Sequence, residues 1–157
     1  MRFVSFSAVF LALILAPQAH AQERQWGLDT VNNQAFLVFG VPESDDVGLS
    51  FWCDIGKSKV SAFLPETVAP LRRGERTNIA MDVDGHAEKL SATVSHDDGS
   101  GKLTVETTFG LKGSMMKALR AGQSLAITVK GHVNSFPIAD ANFDGLVDAC
   151  NGIDPAG

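Results

Sequence analysis

Apolar residues recur at every second position through most of this chain, and that spacing restricts it to β-sheet. Val47, Leu49, Phe51 and Cys53 alternate with Gly48, Ser50 and Trp52. One side of an extended strand is then apolar, and Cys53 lies on the inward side. Asn78 to Val83 alternates through Ile79, Met81 and Val83, reverses at Asp84-Gly85, and returns through Leu90, Ala92 and Val94. Asp-Gly favours a two-residue hairpin turn because both positions tolerate positive φ. Further strands are predicted at Ala35 to Val41, ended by Pro42, and at Ser58 to Leu64. Leu103, Val105 and Thr107 continue the pattern after a turn over Asp97 to Gly101, and Leu125, Ile127 and Val129 repeat it. Glu43 to Asp46 is a polar connection, and Glu66 to Arg76, with Pro70 and Gly74 inside it, is a loop.

Two segments change period. Ser114 to Ala121 predicts a short helix with Met115, Met116 and Leu119 as its buried side, Ser114 as cap and Gly122 as its end. Asn142 to Cys150 predicts a last helix with Phe143, Leu146, Val147 and Cys150 at helical spacing. The expected fold is mainly β: an antiparallel β-sandwich or partly closed barrel of about seven to nine strands, with two short helices, one of them C-terminal. Ten phenylalanines and no tyrosine suit a core of apolar rings.

The N-terminus has a different character. Arg2 is followed by an almost unbroken apolar stretch from Phe3 to Ala16, and then by Ala19-His20-Ala21. This is the layout of a secretory signal peptide over residues 1–21, cleaved near Ala21. The stretch is shorter than the roughly 20 residues a spanning helix needs, and no later segment reads as transmembrane. Residues 22–157 are expected to form a single β-rich domain, periplasmic or secreted. Without Arg2, 12 basic and 18 acidic residues remain, a net charge of −6. That balance argues against a nucleic-acid partner, which requires a basic footprint. Cys53 and Cys150 are the only cysteines. In an oxidising compartment they most simply form one internal disulfide, the alternative being a free or intermolecular pair.

The sharpest motif is Asp140-Ala-Asn142-Phe-Asp144-Gly145-Leu-Val147-Asp148. Asp140, Asn142, Asp144 and Asp148 fall at positions 1, 3, 5 and 9 of a calcium loop, with glycine at position 6. Position 12 is Asn151 rather than a bidentate glutamate, and Cys150 falls inside the loop. The competing reading is a helix N-terminus capped by Asp140 or Asn142, and no metal or other cofactor is expected. His86, His96 and His132 match no zinc-ligand spacing. There is no nucleophile elbow, since Gly99-Ser100-Gly101 lies in a turn, and no phosphate-binding glycine loop. Asp97 and Asp98 are neighbours on that turn, poorly placed to flank a glycosidic bond. Arg72, Arg73 and Arg76 form the only basic cluster, set in a loop, and read either as a contact for an anionic partner or as an ordinary charged loop. Trp52, opposite in face to Phe51 and Cys53, is either an exposed aromatic contact or, if both faces are covered, core.

Three stretches together carry a family resemblance: Gly48-Leu49-Ser50-Phe51-Trp52-Cys53, Leu119-Arg120-Ala121-Gly122, and Phe136-Pro137-Ile138 ahead of Cys150. In this layout the chain resembles small uncharacterised exported proteins of proteobacteria, akin to the invasion-associated locus B proteins. The resemblance implies bridge partnership between an early strand cysteine and a late helix cysteine. It implies no catalytic residue. The chain departs from the pattern in having two cysteines where more are expected, so a host-invasion role is not carried over.

The function expected from these readings is a non-enzymatic periplasmic or secreted binding module. Its edges and loops, particularly 43–46 and 65–76, would contact a protein or envelope component. The alternative is a small envelope hydrolase or calcium-binding protein using the Asp140–Asp148 segment, and a purely structural envelope protein is a third class. Convergence of the histidines and acids in one cleft is the observation that separates an enzyme from the rest.

Overall fold

The computed structural model describes residues 23–65, 67–96 and 102–153. The N-terminal segment 1–21 and the turn Asp97 to Gly101 lie outside those residues. Nine strands and two helices follow one another: β1 (Gln25–Val31), β2 (Gln34–Gly40), β3 (Val47–Asp54), β4 (Lys59–Leu64), β5 (Arg76–Val83), β6 (His86–His96), β7 (Leu103–Gly110), α1 (Ser114–Ala121), β8 (Ser124–Val129), β9 (His132–Pro137) and α2 (Phe143–Cys150). All nine strands belong to one antiparallel sheet in the order β1-β2-β3-β4-β7-β6-β5-β8-β9.

Local chemistry explains the hairpins. Asn32-Asn33, Asp84-Gly85 and Lys130-Gly131 each bridge a strand pair with both residues at positive φ. That conformation matches the twist of the strands it joins. The Asp84-Gly85 turn was legible in sequence; β1 and β9, which depend on the other two turns, were not among the predicted strands.

Eight strand spacings in a flat sheet would separate β1 from β9 by roughly 38 Å. Instead the indole Nε1 of Trp26, on β1, donates to the carbonyl of Pro137, on β9, over 2.6 Å. The ring of Phe39, on β2, meets that of Phe136 edge-on at 6.1 Å. The sheet therefore curls until its two edge strands approach, giving a partly closed barrel. Of the two expected arrangements, this is the one adopted.

Both helices fill the concave side. α1 packs against β5, β6 and β7, and α2 against β1, β2 and β3. The core joins Leu37, Phe51, Met81 and Ile127 of the sheet to Met115, Met116 and Leu119 of α1 and to Phe143 and Leu146 of α2. Phe51 and Phe143 meet edge-to-face with centroids 5.1 Å apart. Cys53 and Cys150 form a disulfide with Cα atoms 5.9 Å apart, tying β3 to the end of α2. The bonded cysteines are nearly inaccessible to solvent.

The helix caps differ in part from expectation. Asn142 caps α2, its side chain accepting from the Gly145 N–H at 2.9 Å. Ser114 does not cap α1. The N-cap is Gly113, and the Ser114 hydroxyl donates to Glu88 on β6. Ser114 is one position past the cap, the first residue of the helix, and its hydroxyl instead makes a charge-assisted hydrogen bond to the carboxylate.

Candidate functional site

Directly opposed residues of an antiparallel pair share a face, so the register maps the convex surface. Phe36, Trp52, Ser61 and Thr108 form one row across β2, β3, β4 and β7. Val38, Ser50, Phe63 and Glu106 form the next. The solvent face of such a sheet is ordinarily polar. Here it carries two aromatic rings in contact: Phe36 and Trp52 stack with centroids 6.4 Å apart and planes 23° from parallel. Both are half-buried, as are Val38 and Phe63 beside them.

Polar groups fringe the indole. Ser61 and Thr108 hydroxyls lie 3.3 Å apart. Asp54 accepts from the Gln34 amide at 2.8 Å. Lys57 and Lys59 are exposed and make no ion pair among the described residues. The β3–β4 turn lies beside Trp52, and together they border an open recess of about 400 Å³ whose lining includes Trp52, Asp54, Lys57, Lys59, Ser61 and Thr108. The volume falls within the range of small-ligand sites. Of this group sequence reasoning singled out only Trp52. The alternation of Phe36 and Phe63 against inward Leu37 and Leu64 was the signal that would have placed the rest of the patch.

The arginines lie elsewhere. Arg76, on β5, is four strands from Trp52, roughly 19 Å along the sheet. Arg72 and Arg73 occupy the exposed turn before it. Glu75 sits within that turn, accepting from the Arg72 backbone N–H at 3.0 Å and pairing with Lys130. The hydrogen bond from Lys130, helped by that backbone N–H, holds the Glu75 carboxyl below its ordinary range. Lys130 also donates to the Pro70 carbonyl at 2.9 Å. The turn thus carries its own acid and is clamped to the β8–β9 hairpin.

The acidic segment is spread by helix formation. Asn142 is committed to its cap, Asp144 pairs with Arg120 of α1, and Asp144 and Asp148 ride the exposed side of α2 while Asp140 precedes it. Among the described residues, no three His, Cys, Asp or Glu side chains group as a metal site would require.

His86 and His96 stand at opposite ends of β6, roughly 34 Å apart along the strand. His132 begins β9. One small convergence does occur. Glu88 Oε1 accepts from Ser114 Oγ and lies 3.1 Å from His86 Nε2. The hydrogen bond from Ser114, followed by that from His86, keeps the Glu88 carboxyl below its ordinary range. A serine triad needs the imidazole between hydroxyl and acid, to take the proton. Here the carboxylate is in the middle, and its lowered pKa weakens it as a base.

Trp26 belongs to the core side, touching the rings of Phe39, Phe51 and Phe143. A cavity of about 670 Å³ also opens beneath the β4–β5 loop, lined by Val68, Leu71, Leu103 and Asn134. The Asn134 amide nitrogen is buried there without a hydrogen-bond partner among the described residues.

No protein-family model matches the chain, and no curated protein matches it. Among solved structures it is similar to the invasion associated protein B from Bartonella henselae, at 15% identity over 83% of this chain and 92% of that one, with a TM-score of 0.46. That structural likeness is weak.

Proposed function

We propose that the chain is a non-enzymatic exported binding module, working in the periplasm or outside the cell, which meets its target through the convex face around Trp52. The observation that carries this reading is the stacked, half-exposed Phe36–Trp52 pair on the sheet face turned away from both helices. Large aromatic side chains supply contact area at little entropic cost and dominate binding surfaces elsewhere. Export is supported by the Cys53–Cys150 disulfide, since such bonds persist in oxidising compartments. The wide separation of the histidines favours binding over hydrolysis, and so does the carboxylate-centred order of Ser114, Glu88 and His86.

The test is site-specific photo-crosslinking in producing cells. A benzophenone side chain in place of Phe63 should yield adducts, whereas one in place of Asn78, at the far side of the sheet, should not. Trp52→Ala should abolish the adducts at position 63. Equal labelling at both positions, or adducts indifferent to Trp52, would remove this face from the function.

A further inference from the structure

We propose that the recess beside Trp52 binds an acidic saccharide, an inference that rests on the binding-module reading and names its ligand class. Trp52 is half-exposed and lines the recess, and an indole's π system attracts the polarised C–H edge of a sugar ring. Phe36 backs that indole from the neighbouring strand and holds it in place. The hydroxyls of Ser58, Ser61 and Thr108 ring the recess, and each both donates and accepts, as sugar hydroxyls do. Lys57 and Lys59 bring two ammonium groups to the same rim, with no carboxylate among the described residues paired to either. Asp54 also lines the recess, its carboxylate accepting from the Gln34 amide, so two ammonium groups against one carboxylate leave the rim net positive. A saccharide carrying a carboxylate completes that charge pattern. Trp52 to Thr108 spans two strand spacings, about 10 Å, which suits an oligosaccharide lying across the strands.

Other ligand classes fit less well. An extended peptide would need unpaired main-chain groups, and β3 and β4 are interior strands bonded on both sides. A nucleic acid would need a far broader basic surface than two lysines on a chain of net charge −5.

Calorimetric titration of the purified protein with tetragalacturonate tests the proposal. Fully methyl-esterified tetragalacturonate keeps the rings and removes the charge, and inorganic polyphosphate keeps charge without rings. Saturable binding of the acid is expected, weakened about tenfold or more by esterification, by Trp52→Ala and by the double variant Lys57→Gln/Lys59→Gln. The lysine variant alters only exposed side chains, so it remains informative if Trp52→Ala lowers the melting temperature. Equal binding of acid and ester would overturn the proposal, as would polyphosphate binding that matches the saccharide and ignores Trp52. Absence of binding overturns it too. If crosslinking at position 63 then persists, the binding module stands with a different ligand; if that also vanishes, both readings fall.

Discussion

Gly122 shows how much a single position depends on its surroundings. Its φ of −87° is open to any residue, so the left-handed helix ending expected of a terminal glycine is not used here. What the position lacks is room. A Cβ there would sit 2.3 Å from Val83 Cγ1 and 3.1 Å from Ile138 Cδ1. Gly122→Ala should destabilise the protein by about 1–3 kcal/mol, the usual cost of overpacking, and lower the midpoint of thermal unfolding. An unchanged midpoint would mean that α1 does not leave the core this tightly. Asp84 is a similar case. It reads in sequence as a turn residue, and it is one, at φ +49°. Its carboxylate also accepts from the Gln123 and Ser124 N–H groups at 2.7 and 3.2 Å, binding the β5–β6 turn to the start of β8. Nothing local signals that second role, because its partners lie about 40 residues away.

Among the elements, strands with an inward set of about three alternating residues, such as Ile79, Met81 and Val83 or Leu125, Ile127 and Val129, were readable, and so were both helices. β1 and β9 were not. β1 buries Trp26 and Leu28 only in part, and β9 has one buried residue, Phe136. Edge strands like these carry a thin periodic signal because one side has no strand partner. The connections acquire their order from charge. Lys130 on the β8–β9 hairpin grips both the Pro70 carbonyl and Glu75, fastening the β4–β5 loop. Glu75 titrates below its ordinary value of 4.5 chiefly because of the Lys130 hydrogen bond. A depressed carboxyl adds stability above that value and loses it as pH falls through the lower folded value. Glu88 acts in the same direction. Glu75→Gln should therefore flatten, without abolishing, the fall in melting temperature between about pH 5 and pH 3. Identical acid limbs for the two proteins would show that the clamp contributes nothing.

At the scale of the molecule, the disulfide joins positions 97 apart, one on the sheet and one on the helix that plugs it. Loop-closure entropy puts its contribution at about 4–5 kcal/mol, within a spread of a few kcal/mol for real bridges. Cys53→Ser should lower the denaturant midpoint accordingly, and chemically reduced wild-type protein should unfold close to the variant. A variant as stable as the oxidised protein would exclude that role. The pairing of Cys53 with Cys150 was readable because two cysteines allow a single internal arrangement. The Phe36–Trp52 surface was only half readable. Alternation assigned Trp52 to the face opposite Cys53, but whether anything covered that face depended on where the helices lay.

The sequence by itself determined the β class, the two helices, the inward and outward sides of most strands, and the one bridge. Each of these follows from period, turn chemistry or cysteine count, all of which are local or compositional. Only the tertiary structure decided that β4 pairs with β7 rather than β5, that the edges meet through Trp26 and Pro137, and that both helices occupy the concave side. Alternation tells a strand which way its side chains point but not which strand lies beside it. Strand order, curl and the exposed aromatic face are settled by contacts between distant segments, where a period of two carries no information.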